Sequence, residues 1–163
     1  MLRVDQAGEY GATRIYAGQL AVLRRNCPEA KLIARMAAQE ERHLKRFNAL
    51  MADRRVRPTA LQPLWNVAGF ALGAATALMS EKAALACTDA VETEIDRHYA
   101  SQLAALGNDD PELSADIAEF QAEELEHRDT AREAGAAQAI GYPLLTTAIR
   151  AGCRMAIELS KRI

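Results

Sequence analysis

Two of the three histidines in this chain follow a glutamate by three positions. Glu40 precedes His43 in QEERH, and Glu124 precedes His127 in QAEELEHR. Residues three apart lie on the same face of a helix, so each carboxylate and its imidazole can bind one common partner. Upstream of each pair, by 31 and 32 residues, stands a lone glutamate: these are Glu9 and Glu92. The chain therefore carries an internal repeat of one lone glutamate followed by one Glu-x-x-His.

Helical periodicity places all six side chains on apolar stripes. The stripes that contain the pairs are Leu32, Met36, Glu40, His43, Phe47 and Leu50, and Leu113, Ile117, Phe120, Glu124, His127 and Ala131. The stripes that contain the lone glutamates are Leu2, Glu9, Tyr16, Leu20 and Leu23, and Leu85, Thr88, Glu92, Ile95, Tyr99 and Leu106. No lysine or arginine lies on any of them. Four carboxylates and two imidazoles are thus predicted to point into one core.

Such a cluster needs cations, because burying several unpaired like charges is very unfavourable. Two divalent ions would balance four carboxylates, and this ligand set is that of the dinuclear carboxylate four-helix bundles. Oxygen and nitrogen ligands without a thiolate favour iron or manganese over structural zinc. The alternative, exposed Glu-x-x-His pairs on a helix surface, does not explain why all six residues are in phase with apolar stripes.

Several neighbours of these residues receive other interpretations. Glu41, Glu123 and Glu126 turn about 100° away from the stripes and are interpreted as solvated or flanking charges. A second shell around the metal is predicted from His98 and Tyr99, with a surface pair between His98 and Glu94 as an equal alternative. For Asp5, capping of the first helix is preferred, and a bond to a metal ligand, which would add it to that shell, is the alternative. Tyr16 is interpreted as core packing.

Prolines, glycines and capping residues divide the chain into six predicted helices, and no segment alternates with period two, so no sheet is predicted. Their approximate ranges are 5–26, 28–55, 64–79, 80–106, 110–134 and 142–161. Pro28 suits a first helical turn, and GNDDP predicts a helix end at Gly107 and a restart capped by Asp109 or Asp110. Residues 1–163 are predicted to form one all-α domain, a ferritin-like four-helix bundle with a dinuclear metal core and two additional apolar helices.

Composition excludes several classes of function. The net charge of −2 and a pI of about 5.9 give no basic surface of the kind that nucleic-acid binding requires. Three widely spaced cysteines without a CxxC pair argue against a disulfide framework and a zinc knuckle. No GxGxxG follows a strand, so a nicotinamide nucleotide would not bind through a Rossmann unit.

Residues 58–80 contain no charged side chain. The run is long enough to suggest a membrane span, but two prolines and several polar residues interrupt it. We interpret it as a helix lying in the membrane interface, with a buried core helix as the alternative. A second uncharged run covers residues 134–149.

Five segments spread over the chain resemble the demethoxyubiquinone hydroxylase family, the di-iron monooxygenases of ubiquinone biosynthesis: RVDQAGEYGATRIYAGQLAVL, QEERHLKRFNALM, RPTALQPLWNVAGFALGAATAL, ACTDAVE and EELEHRD. The resemblance implies a ferritin-like fold and two iron ions held by the six residues above, with Glu40 and Glu124 bridging and Glu9 and Glu92 terminal. It also implies O₂-dependent hydroxylation of a polyprenyl methoxy-methyl-benzoquinol, the penultimate step to ubiquinone, with NADH as a possible reductant.

The resemblance further implies where the protein works and with what. The location is peripheral, on the cytoplasmic face of a bacterial inner membrane or on the matrix side of the mitochondrial inner membrane after loss of a targeting segment. The expected partners are the quinone lipid, an accessory lipid-binding protein, other ubiquinone-biosynthesis enzymes and further copies of the chain. Two other readings remain at this point: a ferritin-like iron oxidase or peroxide-handling protein, and a membrane-surface scaffold without catalysis.

Overall fold

The computed structural model describes all of residues 1–163 and contains six α-helices and no strand. The helices are α1 Leu2–Val22, α2 Pro28–Asp53, α3 Gln62–Met79, α4 Glu81–Leu106, α5 Pro111–Glu133 and α6 Tyr142–Arg162. One 3₁₀ turn, Ala136–Gln138, lies between α5 and α6. The prediction of an all-α fold with six helices is confirmed. The predicted first helix began three residues too late and ended four too late.

Side chains cap the N-termini of α2, α4 and α5. The Sγ atom of Cys27 accepts a hydrogen bond from the Ala30 amide at 3.3 Å, and the Ser80 hydroxyl accepts one from the Ala83 amide at 3.0 Å. The carboxylate of Asp110 accepts from the Leu113 amide, which decides between the two predicted caps. Gly107 ends α4 with a φ of +50°, a conformation that glycine adopts without steric penalty.

Helices α1, α2, α4 and α5 form the four-helix bundle. Helix α1 packs on α2, and α4 packs on α5. Ion pairs between α2 and α5 join Arg42 to Glu119 and Arg46 to Asp116. The residue numbers rise along one helix while they fall along the other, so α2 and α5 run antiparallel. Each of the two remaining helices lies outside the bundle: α3 against α1 and α6 against α4.

The core is divided into two apolar layers with a polar layer between them. One apolar cluster contains Tyr16, Ile33, Met36 and Leu85, and the other contains residues such as Phe47, Leu50, Tyr99, Ile117 and Phe120. On α2, the pair Glu40 and His43 lies between Met36 and Phe47 in sequence, and all four side chains are buried. The apolar layers therefore enclose the polar one from both ends of the bundle.

Helix α3 has one buried and one exposed face. Only Gly69, Gly73, Thr76 and Ala77 are buried. Leu64, Val67, Leu78 and Met79 are more than half exposed, and on and before α6 so are Ile140, Leu144 and Met155. The alternative that residues 58–80 form a buried core helix is wrong, because α3 covers α1 as an outer helix. None of the helices combines the length and the apolar character that crossing a membrane requires.

Candidate metal centre

The structure brings the six predicted residues together in the polar layer of the bundle. Helix α1 contributes Glu9, α2 contributes Glu40 and His43, α4 contributes Glu92, and α5 contributes the remaining pair, Glu124 and His127. No side chain among them is more than 2% exposed. The stripe predicted for α5 matches the buried residues of that helix at every position, which explains why periodicity identified its inward face.

The six residues form two overlapping groups of four. One group is Glu9, Glu40, His43 and Glu124, and the other is Glu40, Glu92, Glu124 and His127. Within each group the candidate ligand atoms all lie within 4.8 Å of one another. The shared members are the glutamates of the two Glu-x-x-His pairs. This overlap has the geometry of two adjacent cation positions with two common carboxylates.

The inward-facing atoms of these side chains fit divalent cations. Both oxygens of Glu40 and Glu124, one oxygen each of Glu9 and Glu92, and Nδ1 of both histidines are buried without a hydrogen-bond partner. Buried polar atoms normally have partners, and eight such atoms without one in the same place indicate a shared ligand. Neutral imidazole nitrogens and carboxylate oxygens are the donors that iron and manganese accept.

The electrostatics of the cluster also require positive charge. No lysine or arginine is among the buried residues. Burial, together with the neighbouring carboxylates, raises the pKa values of Glu40 and Glu92 well above their usual range. Burial alone would lower the pKa of His43, but its contacts with Glu124 and Glu9 raise it to about 10. Without cations, the cluster therefore holds protons that metal ions would displace.

Two tyrosines donate hydrogen bonds to the lone glutamates. The Tyr16 hydroxyl donates to Oε1 of Glu92 at 2.7 Å, and the Tyr99 hydroxyl donates to Oε1 of Glu9. Each bond crosses between α1 and α4. Tyr99 thus contacts a predicted ligand directly, as the second-shell prediction requires. The core-packing interpretation of Tyr16 was incomplete, because its ring is buried in the core while its hydroxyl reaches the cluster.

The histidines have hydrogen-bond partners on the outer side that the sequence did not reveal. Nε2 of His43 lies 2.7 Å from Oε2 of Glu123, and Nε2 of His127 lies 2.9 Å from Oε1 of Gln39. Glu123 was interpreted as a solvated or flanking charge, and the solvated option is wrong, since its side chain is only 21% exposed and turned toward α2. Glu41 and Glu126 are exposed, as predicted.

Asp5 and His98 contact each other rather than the six cluster residues. Asp5 is buried, and its carboxylate accepts from Gln102 and lies 3.1 Å from Nε2 of His98. Burial raises the pKa of Asp5 above its usual range. The preferred interpretation of Asp5 as a helix cap is wrong, because Met1 is the N-cap residue of α1 and no side chain makes a capping hydrogen bond there. Neither Asp5 nor His98 contacts one of the six cluster residues through a hydrogen bond. Glu94 accepts from Arg150 at 2.7 Å and does not pair with His98.

An apolar cavity of about 510 Å³ lies between α1, α3, α4 and α6. Hydrophobic residues make up 16 of the 22 that line it, among them Ile15, Leu72, Val91, Ile95 and Ile149. Its wall on the bundle side is formed by α1 and α4, the helices that carry the lone glutamates. The charge lining the cavity is that of Glu94, which Arg97 and Arg150 neutralise.

Comparisons with known proteins agree with this architecture. Residues 1–160 match the family described as "Ubiquinone biosynthesis protein COQ7". The chain is 57% identical over 162 residues to "3-demethoxyubiquinol 3-hydroxylase" of Rhodospirillum rubrum, covering 99% of this chain and 76% of that protein. It is 52% identical over 167 residues to "NADPH-dependent 3-demethoxyubiquinone 3-hydroxylase, mitochondrial" of Homo sapiens, covering all of this chain and 76% of that protein. With "5-demethoxyubiquinone hydroxylase, mitochondrial" of Saccharomyces cerevisiae it shares 43% identity over 179 residues, covering all of this chain and 77% of that protein. The chain therefore belongs to the COQ7 family of ubiquinone biosynthesis proteins.

Proposed function

We propose that this protein hydroxylates the ring of a demethoxyubiquinol, a polyprenyl methoxy-methyl-benzoquinol, in the penultimate step of ubiquinone biosynthesis. The observation that carries the proposal is the apolar cavity against the helices of Glu9 and Glu92. An iron oxidase or peroxide-handling bundle needs the carboxylate cluster but has no use for such a cavity. The reaction and the quinol in this proposal come from the names of the relatives of this chain.

We propose two iron ions as the occupants of the cluster. Glu40 and Glu124 belong to both groups of four and would bridge the ions, whereas Glu9 and Glu92 would each bind one. The ions would supply the activation of O₂ when bound. The protein's own residues hold the carboxylates in place through Tyr16 and Tyr99, and the apolar layers on both sides keep water from the cluster.

The cavity and the exposed apolar face give the quinol a route. A benzoquinol with an isoprenoid tail is mostly apolar and matches the lining of the cavity. The exposed leucines, valine and methionines of α3 and α6 form a surface that can sit in the headgroup region of a bilayer. We therefore propose a peripheral location on the inner membrane, on the cytoplasmic face in a bacterium or the matrix side in a mitochondrion. There a lipid-binding accessory protein, related enzymes or further copies of the chain would be within reach.

The reductant is proposed to be a nicotinamide nucleotide. The mammalian relatives carry NADPH in their names, while the family resemblance alone suggested NADH. No Rossmann unit is present, since the fold has no strand. NADH and NADPH therefore both need to be tested as reductants.

The test is a single-turnover reaction with ¹⁸O₂. The protein is loaded anaerobically with iron, mixed with NADH or NADPH and a short-tail demethoxy quinone, and then exposed to ¹⁸O₂. We expect a quinone product that is heavier by one labelled oxygen. If the iron-loaded protein oxidises its iron but forms no labelled quinone with either nucleotide, the result would favour the ferritin-like oxidase instead.

A cavity-filling variant tests where the quinol binds. Gly8 lines the cavity, and a Cβ added there would have no atom within 4 Å, so Gly8→Leu should fit by occupying cavity volume. We expect unchanged iron content and a KM for the quinone raised at least severalfold. Ala104→Leu, on the exposed side of α4, is the control. Normal quinone kinetics in Gly8→Leu would contradict binding in this cavity.

A further inference from the structure

We propose that Glu123 and Gln39 are positioning residues that make the two metal positions unequal, the position of His43 being the tighter one. Each side chain binds the outer nitrogen of one histidine, and one partner is a carboxylate while the other is a neutral amide. The inference rests on the proposed dinuclear centre, and it concerns a difference between its two halves.

The two histidines are oriented in the same way. Nδ1 of His43 faces the cluster, 3.1 Å from Oε1 of Glu124, and Nδ1 of His127 lies 3.2 Å from Oε1 of Glu40. In both rings Nε2 points outward to its partner. A metal bound at Nδ1 leaves the proton on Nε2, so Nε2–H donates to Glu123 in one case and to Gln39 in the other.

The internal repeat places these partners at equivalent positions. Gln39 immediately precedes Glu40 on α2, and Glu123 immediately precedes Glu124 on α5. Each residue reaches across the α2–α5 interface to the histidine of the opposite helix. The repeat thus builds the same contact twice, and the two contacts differ chemically in one group: an amide against a carboxylate.

The surroundings of Glu123 hold it as a charged acceptor. Arg42 donates to both of its carboxylate oxygens. The Arg42 guanidinium also lies 5.9 Å from the centre of the Phe120 ring, and Phe120 stacks on His43 with ring centres 4.1 Å apart. The ring of His43 is therefore fixed both at its edge and on its face. Gln39 has no comparable cation beside it among the hydrogen bonds of the structure.

A carboxylate acceptor makes an imidazole a stronger donor to a metal than an amide acceptor does. Removing such an outer partner typically lowers metal affinity about 10–100-fold. The ion at His43 should accordingly be held more tightly than the ion at His127. Its oxidised form should also be favoured, because a more electron-rich ligand stabilises the higher charge.

Exchange of the two outer partners tests the inference. Wild type, E123Q, Q39E and the E123Q/Q39E double variant are loaded anaerobically with ⁵⁷Fe²⁺, and iron release to a chelator is followed together with Mössbauer spectra. Wild type should release iron in two phases and show two distinct iron environments. In E123Q the slow phase should become about 10–100-fold faster and the two environments should converge. In the double variant the tight position should move to His127.

E119Q is the matched control. Glu119 pairs with the same Arg42 at 2.9 Å but does not contact His43, so its loss should leave both phases and both spectra at their wild-type values. Two-phase release that is unchanged in E123Q, or wild-type release in a single phase that no exchange alters, would overturn the inference and leave the dinuclear centre standing. Absence of iron binding in the wild type would instead refute the centre itself.

Discussion

The contact between α1 and α3 permits a sharp test of the packing. A Cβ added to Gly73 would lie 1.9 Å from the carbonyl oxygen of Ile15, and one added to Gly18 would lie 2.1 Å from that of Phe70. Both atoms are backbone, so no side chain can rotate away. Gly8 lies on the same α1 helix, but a Cβ there would meet nothing within 4 Å. The same substitution, glycine to alanine, should therefore have opposite effects at Gly73 and Gly8.

The magnitudes follow from the geometry. Close carbon–oxygen contacts between helices lie at about 3.3–3.6 Å, so Gly73→Ala requires α3 to move by more than about 1.4 Å. Overpacking typically destabilises by about 1–3 kcal/mol, and we expect the upper end here because backbone meets backbone. Gly8→Ala should instead stabilise by about 0.5–1 kcal/mol, since alanine is the better helix former.

Urea and thermal unfolding of the metal-free protein measure both effects. For a chain of this size about 3 kcal/mol corresponds to a fall in Tm of roughly 6–12 °C. The m-values should match, which would assign the change to the native state. A Gly73→Ala protein that unfolds within about 0.5 kcal/mol of wild type would refute the close α1–α3 contact on which the cavity wall depends.

Three further outcomes are expected. Tyr16→Phe removes the hydrogen bond to Glu92 and should destabilise the metal-free protein by about 1–3 kcal/mol in urea unfolding; an unchanged midpoint would contradict it. Asp89→Ala removes the acceptor of the Tyr142 hydroxyl at the start of α6, so hydrogen exchange should accelerate in α6 but not in α2. The pKa values of Glu40 and Glu92 are raised well above their usual range, and that of His43 is raised to about 10, so these groups hold more protons in the native state than in the unfolded chain. The Tm of the metal-free protein should therefore fall between pH 5 and pH 8, and saturating Mn²⁺ should abolish or reverse that fall.

The inward faces of the bundle could be predicted because a helix repeats every 3.6 residues. Apolar residues at steps of three and four define a stripe, and a carboxylate in phase with it must be buried. Periodicity failed at Glu123 for a physical reason. It gives the direction of a side chain about its own helix axis, but not whether solvent or another helix lies in that direction. Helix α2 lies there, joined to α5 by arginine–carboxylate pairs.

Contacts that join distant parts of the chain were beyond the sequence. Tyr16 reaches Glu92 across 76 residues, and nothing in the local pattern distinguishes a core tyrosine from one whose hydroxyl meets a carboxylate. Gln39 is half-buried beside the stripe, where glutamine is common on any helix. The cavity likewise depends on how α3 and α6 pack against α1 and α4. Gly8 and Gly11 leave space in its lining, and the sequence alone does not show whether neighbouring side chains fill that space.

The two long sides of the bundle, α2–α5 and α1–α4, differ in the chemistry of their side chains. On the α2–α5 side, ion pairs such as Arg46–Asp116 and the outer partners of the histidines form a polar support. On the α1–α4 side, each helix contributes one glutamate to the cluster, and a tyrosine of the opposite helix donates a hydrogen bond to it. The apolar cavity lies beyond these glutamates. A cation pair held between these sides would be anchored by imidazoles on one and would face the organic substrate on the other. Repeating one helix pair supplies the near-symmetric cluster, and packing α3 and α6 against a single side encloses the apolar cavity there.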